Sequence, residues 1–381
     1  MKVALVTSIK APYRILQMEN VVKNSGLDLT IYYTESGKED RDWEVMGSNL
    51  FKEVFLKKVI NFKRYGSLNK GLLPIVKHNE VVIIGGYEKP SYILLALICK
   101  IFKKPYALVH DGISCNRINE NERFVKRRLK DFVIKNSKGI WGNGKVSELY
   151  FRENFNYPKE KIYNQYLTVD GTTINQLKSD RLYIRKKLRQ NYGISDDAII
   201  IQYSGRLVKI KNLESVIKAI NLLDRKDIVL LITGDGVERE RLERVSKELG
   251  VKLIVAGFIN NQKELFKHYF MSDIFILPSI LEPWGLVVNE AMFAGLPVIV
   301  SNICGCSLDL VKEGENGYII QPDDIDDIAY KIRDMLSNKN YIWMGDNSTK
   351  IIAKWNFDNS THSFLTLIQG MIKNTFKLKG N

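Results

Sequence analysis

The stretch Leu281–Ser301, LEPWGLVVNEAMFAGLPVIVS, sets two carboxylates, Glu282 and Glu290, eight positions apart in an otherwise apolar segment. Upstream, IFILPS is a short β-branched and apolar run, and PVIVS at the end is another. Between them, Leu286 to Gly295 has apolar residues at helical spacing. Strand, loop, helix and strand in that order make a βαβ unit, the building block of a parallel sheet. Glu282 then falls in the loop after a strand and Glu290 on the helix that follows.

The same alternation extends outward. From Ala198 it reads AIIIQYSG, a helix over Asn212–Leu223, IVLLITGDG, a helix over Glu238–Leu249, and KLIVAGF. The first half repeats the pattern: VALVTS, a helix over Leu16–Ser25, LTIYYT, VVIIGG, a helix over Tyr92–Phe102, YALVHD and GIWGNG. A chain of 381 residues exceeds the usual size of one domain. We therefore expect two doubly wound α/β domains, residues 1–175 and 176–360, with the helix of residues 361–381 packing back on the first. A charged segment, Leu177–Gly193, with little turn chemistry, leads into the second.

In open α/β sheets ligands gather at the carboxyl ends of the strands. Gly205-Arg206 ends the first strand of the second domain, and Lys211 opens the next helix. Two cations at one strand-to-helix turn, beside open backbone N–H groups, suit a diphosphate, although most Lys and Arg are simply solvated. Gly234-Asp235-Gly236 and Gly257-Phe258 end the next two strands. Glycine there permits close approach of backbone to a ligand, or merely a turn. The amides near Gly285, Leu286 and Val287 would face an anion flanked by Glu282 and Glu290. Read structurally, the same acids are a solvated loop residue and a helix surface residue. His110, ending YALVH, is open to either reading.

The ordered set Gly205-Arg206…Lys211, Glu282-x7-Glu290 with Pro283-Trp284-Gly285, and Ala291-Met292-x-x-Gly295-Leu296-Pro297-Val298 resembles glycosyltransferase family 4. The likeness extends to Tyr166–Asp170, Gly317–Ile320 and the Trp355 segment. It implies the GT-B architecture, two Rossmann-like domains facing a central cleft, and a retaining transferase of the polysaccharide-assembly type. It also implies roles: Arg206 and Lys211 hold the donor diphosphate, and Glu290 accepts from the ribose hydroxyls. Glu282 contacts the transferred sugar, and backbone around Trp284 to Val287 touches sugar and phosphate. Gly205 and Gly234 lie along the donor, Phe258-Ile259 meet the base, and His110 lies beside the donor sugar. Catalysis would rest on Glu282, Arg206, Lys211 and His110.

One departure from the family is the loop Ser8-Ile9-Lys10-Ala11-Pro12-Tyr13-Arg14, where many members are glycine-rich. Similar Pro-Tyr-Arg loops face the acceptor, so Tyr13 and Arg14 are assigned to acceptor binding. Asp40-Arg41-Asp42 matches the metal-holding Asp-x-Asp of the other transferase fold but sits in a polar run without strand context, and we read it as chance. Fixed cations stabilise a leaving diphosphate without a metal, so neither a metal nor another cofactor is expected. The donor is a nucleotide sugar, UDP-linked by family frequency, and the acceptor a lipid-linked or growing saccharide.

Composition bounds the remainder. Four cysteines without framework spacing fit a reducing cytoplasm, and Cys304-Gly-Cys306 lacks the second ligand pair of a zinc site. No run approaches the length of a membrane span. Residues 1–190 carry 35 Lys+Arg against 19 Asp+Glu, while the rest carry 22 against 24. A basic first half suggests an anionic partner. The helical pattern of Asn121–Lys138 sets Phe124, Leu129, Phe132 and Val133 near one face and Arg123, Lys126, Arg127 and Lys130 on others, which suits the inner face of an anionic membrane. No RNP-like, zinc-finger or helix-turn-helix pattern supports nucleic-acid binding, and no G-x-G-x-x-G follows the first strand to support a dehydrogenase. A GT-B epimerase or hydrolase is the enzymatic alternative. Nothing in the sequence fixes the oligomeric state.

Overall fold

The computed structural model describes residues 1–35, 47–62, 65–118 and 122–376. Asp40-Arg41-Asp42 lies outside them. The chain divides into two units, Met1–Leu167 with Phe357–Asn381, and Thr168–Asn356. The boundary expected after residue 175 falls within the helix Gly171–Leu177, whose first turn is capped by the Asp170 carboxylate accepting from the Thr172 N–H at 2.9 Å.

The first unit contains β1 (Lys2–Thr7), β2 (Asp28–Tyr33), β3 (Lys52–Phe55), β4 (Lys58–Asn61), β5 (Ser67–Asn69), β6 (Val81–Ile84), β7 (Tyr106–His110), β8 (Ile140–Gly142) and β9 (Ile162–Asn164). Seven of these form a parallel sheet in the order β3-β2-β1-β6-β7-β8-β9, and β4 and β5 form a separate antiparallel hairpin. Because side chains alternate along a strand, β1 feeds two cores. Ala4 and Val6 pack with Tyr92, Leu95 and Phe151, while Val3 and Leu5 pack with Met18, Val21, Phe364 and Leu367. The last two come from the helix Phe357–Phe376, which returns to this unit after the whole of the second. Trp141 and Phe364 meet with ring centroids 4.8 Å apart.

The second unit contains β10 (Ile199–Ser204), β11 (Ile228–Thr233), β12 (Lys252–Gly257), β13 (Ile274–Leu277), β14 (Val298–Ser301) and β15 (Gly317–Ile320), a parallel sheet in the order β12-β11-β10-β13-β14-β15. Every residue of β10, β11, β13 and β14 is buried, as strands covered on both faces must be. The strand order reverses between β10 and β13. That junction is the topological switch point, where open α/β sheets hold ligands. Both units are doubly wound α/β, as expected from the alternation of strands and helices.

Candidate functional site

In the second unit the loops after β10 and β13 meet at the switch point, where the Ile280 N–H donates to Ile210 O at 3.0 Å. That contact brings Lys211, at the end of a single 3-10 turn, against Glu282, and the ammonium donates to the carboxylate Oε2. Arg206 is exposed on the same loop, and its carbonyl accepts from the Tyr203 hydroxyl at 3.1 Å. Lys211 and Glu282 thus meet at the strand ends, with Arg206 upstream of Lys211 on the same loop.

The loop carrying Glu282 is held from behind. Gly305 N–H donates to Glu282 O at 3.1 Å and Cys306 N–H to Trp284 O at 3.2 Å. The indole of Trp284 is buried, donates to Asn289 Oδ1 at 3.0 Å and stacks on Trp355 with centroids 4.8 Å apart. The Trp284 side chain is therefore a support of the loop, which leaves its backbone for the contact the resemblance implies. Asn289, hidden in an apolar helix, was missed by sequence reading. Cys304 and Cys306 are buried free thiols behind the loop, and among the described residues no group of three or more His, Cys, Asp or Glu could hold a metal ion.

Gly285 caps the helix Leu286–Phe293 with φ at 96°, and a Cβ there would lie 2.8 Å from Leu277 Cδ2. Only glycine fits that conformation and that space. The first N–H to find a backbone partner within the turn is that of Val288, to Gly285 O at 2.9 Å, which leaves the Leu286 and Val287 amides at the positive end of the helix. On the same helix Glu290 accepts from the Tyr269 hydroxyl at 2.8 Å. Burial raises its pKa to about 7 against the lowering effect of that bond. Tyr269 was not anticipated, since nothing marks a partner tyrosine 21 positions away in sequence.

Gly234 and Gly236 are also required by packing. A Cβ on Gly234 would sit 1.9 Å from Gly205 O, and one on Gly236 2.4 Å from Leu207 O. Gly205 N–H donates to Thr233 O at 3.0 Å, and Gly234 bridges to Gly257. The glycines let neighbouring strand ends close on one another, a packing role that stands beside the ligand contact the resemblance implies for Gly234. Phe258 is exposed and Ile259 half-buried at the end of β12, two strands from β10 and so about 10 Å across the sheet.

In the first unit, His110 ends β7 and stacks on Tyr87, with centroids 5.4 Å apart and rings inclined by 20°. Burial lowers its pKa to about 4, so the imidazole is neutral near neutral pH, and its Nδ1 is buried without a hydrogen-bond partner. The next residue, Asp111, is a focus that the sequence did not reveal. It accepts from Tyr13 Oη at 2.7 Å and from Gln165 Nε2 at 3.3 Å, and it pairs with the Arg14 guanidinium. Burial pushes the Asp111 carboxyl up, but the Arg14 charge and the Tyr13 bond outweigh it and hold the group below the usual range. Arg14 is itself buried, bonds Gln17 as well, and lies over the Trp141 ring at 5.4 Å. It is a positioning residue for Asp111 and does not present itself to an acceptor; Tyr13 is half-buried at the edge.

The basic helix proves to be Phe124–Lys135. Lys130 and Val133 are buried in it, and Lys130 pairs with Glu88 and Glu122. Lys126 reaches the same two acids at 3.8 and 3.4 Å, and Arg127 lies over Phe155 at 4.1 Å. Much of the expected cationic surface is thus spent within the unit. No helix among the described residues is long and apolar enough to cross a membrane.

Residues 184–350 match the family model of glycosyl transferases group 1. The segment includes every site residue of the second unit named above. An uncharacterized glycosyltransferase of Methanocaldococcus jannaschii is 32% identical over 212 residues, 54% of this chain and 53% of that protein. The lipopolysaccharide 1,2-N-acetylglucosaminetransferase of Salmonella typhimurium is 29% identical over 191 residues, 46% of this chain and 50% of that protein. The alignments span about half the length of these curated relatives. HepE of Anabaena, solved with UDP, superposes with a TM-score of 0.72 over 97% of this chain and 100% of its own, at 16% identity. The fold is that of the GT-B glycosyltransferases.

Proposed function

We propose that the chain is a retaining glycosyltransferase of family 4 that moves a sugar from a nucleotide donor, UDP-linked, to a lipid-linked or oligosaccharide acceptor in cell-surface polysaccharide synthesis. The observation that carries this is the meeting of Lys211, Glu282 and the open first turn of Leu286–Phe293 at the switch point of the second unit. A hydrolase of ordinary glycosides needs an acid to protonate a poor leaving group. A nucleotide donor leaves as a diphosphate, whose growing charge is met by fixed cations and amide dipoles.

In this reading Arg206, Lys211 and the amides of Leu286 and Val287 receive the diphosphate. Lys211 exchanges its bond to Glu282 for one to phosphate oxygen, and Glu282 is released toward sugar hydroxyls. Glu290 accepts from the ribose, with Tyr269 fixing its second oxygen, and Phe258 and Ile259 flank the base. The bond from the anomeric carbon to the diphosphate breaks, the pair of electrons leaving with the phosphate. The acceptor oxygen bonds that carbon on the same face, and its proton goes to the departing diphosphate. His110, neutral, offers a hydrogen bond without a competing positive charge. The complexes of HepE with UDP, and with UDP and glucose, support a UDP donor by analogy.

The two glutamates provide the test. Glu290→Gln weakens free UDP in calorimetry, because the ribose bonds exist in ground and transition states alike. Glu282→Gln leaves UDP affinity nearly intact, while turnover falls and discrimination between sugars relaxes. Equal losses of UDP affinity would remove the division of labour. Donor consumption at the same rate with and without acceptor would favour an epimerase or hydrolase instead.

A further inference from the structure

The hairpin β4–β5 differs from the rest of the first unit. All four residues of β4 are exposed, and Val59 (50%), Ile60 (48%), Phe62 (43%) and Tyr65 (65%) show large fractions of their apolar surface to water. The helix Pro90–Ile101 packs against β5, but β4 is the outer strand of a two-stranded pair and cannot bury such side chains itself, and clustered apolar exposure marks a contact surface.

The base of the hairpin is rigid. Asn69 Nδ2 donates to Thr34 O at 2.9 Å and to Leu56 O at 3.1 Å, Ser67 Oγ donates to Thr34 O at 3.1 Å, and Asn69 N–H donates to Ser91 Oγ at 2.9 Å. Lys70 N–H donates to Lys57 O at 2.9 Å, and Phe62 N–H to Gly66 O at 3.0 Å. Thr34 follows β2, and its N–H donates to Thr7 O at the end of β1. The hairpin is thereby rooted at the carboxyl end of the sheet, the end that carries Tyr13, His110 and Asp111.

Charge points to the partner. From Val54 to Asn79 the sequence has no Asp or Glu and six cations: Lys57, Lys58, Lys63, Arg64, Lys70 and Lys77. We propose that this hairpin seats the chain on a bilayer containing anionic lipid, with Val59, Ile60, Phe62 and Tyr65 entering the boundary between headgroups and acyl chains while the exposed Lys57 and Lys70 meet lipid phosphates, Lys58 being paired with Glu35 at 2.6 Å. Two copies of the hairpin packed together would oppose like charges. A nucleic acid would leave the aliphatic Val59 and Ile60 without use. The seating turns the carboxyl end of the sheet toward the lipid, which, on the transferase reading above, presents a lipid-linked acceptor to the acceptor side of the chain.

The test is co-sedimentation of the full chain with phosphatidylcholine vesicles, with and without phosphatidylglycerol, over a range of salt. We expect binding to the phosphatidylglycerol vesicles that weakens as salt rises. Ile60→Ser/Phe62→Ser should lower partitioning more than about tenfold, since each buried side chain of this size contributes roughly that factor. Lys57→Glu/Lys70→Glu should do the same, each basic residue at an anionic surface being worth about fivefold. Phe124→Ser/Leu129→Ser should bind as the parent does, and thermal melts should show all variants folded. Hairpin variants that bind undiminished, or equal binding to neutral vesicles, would overturn the proposal. So would a dimer in sedimentation velocity that the hairpin substitutions dissolve, or retention on nucleic acid in place of vesicles. UDP affinity enters none of these readouts, so failure here leaves the transferase reading standing, and failure of donor binding leaves the seating standing.

Discussion

Lys211 and Glu282 form an ion pair between the loops after β10 and β13, each side chain only 14% exposed. Removing either partner leaves the other in a part-buried crevice without its counter-charge. Lys211→Met and Glu282→Gln should each cost roughly 1–3 kcal/mol of stability. The double variant should cost less than their sum, with a coupling of about 1–2 kcal/mol in urea melts. Strict additivity would mean that the pair does not hold the two loops together.

Glu290 links stability and, on the proposed function, nucleotide binding to pH. Its folded pKa of about 7 lies above the ordinary carboxylate value, so the folded chain holds a proton that the unfolded chain gives up. Stability from this group is therefore present at low pH and declines as pH rises through 7. Glu290→Gln should raise stability by on the order of 2 kcal/mol at pH 8 and change little at pH 4. Ribose hydroxyls favour the ionised form, so on the proposed function UDP should bind the parent more tightly as pH rises from 6 to 8. In the Gln variant calorimetry should find that dependence gone.

Arg14 serves Asp111 and Gln17 at once from a buried position. Lysine carries the charge but lacks the planar fork that reaches two acceptors. We expect Arg14→Lys to lose about 1–3 kcal/mol and, with the paired carboxylate less well held, to unfold at a higher pH than the parent on acidification. An unchanged acid limb would show that Asp111 owes its low pKa to Tyr13 and Gln165 alone.

With Arg206 and Lys211 set to neutralise a diphosphate, turnover should persist in excess chelator. Loss of activity restored by Mn²⁺ would count against the proposed chemistry. Arg206→Ala should lower kcat by about a hundredfold or more, the scale for losing one donor to a developing anion.

The strands of the second unit that place the candidate site were legible because β10, β11, β13 and β14 are buried on both faces and read as unbroken apolar runs. Glu282 and Glu290 stood out against that background for the same reason. The hairpin β4–β5 was not legible, because Lys58-Val59-Ile60-Asn61 has neither the alternation of a half-buried strand nor the run of a buried one. Asp111 looked like any surface acid, since its meaning lies in Tyr13, Arg14 and Gln165, which only the fold brings near. Asn289 was hidden by the apolar helix that carries it, and Tyr269 by its separation in sequence from Glu290. The three strand-end glycines were noticed, but a sequence cannot tell a glycine that admits a ligand from one that admits a neighbouring loop.

The return of Phe357–Phe376 to the first unit has a consequence for biosynthesis. Thr168–Asn356 is continuous in sequence and can fold as soon as it leaves the ribosome. The core beneath Trp141 waits for Phe364, Leu367, Ile368 and Met371, all translated later. A nascent chain halted before Phe357 would carry a finished second unit and a first unit with one face of its sheet covered by the helix Pro12–Ser25 but not by the last helix, a natural client for chaperones until that helix arrives.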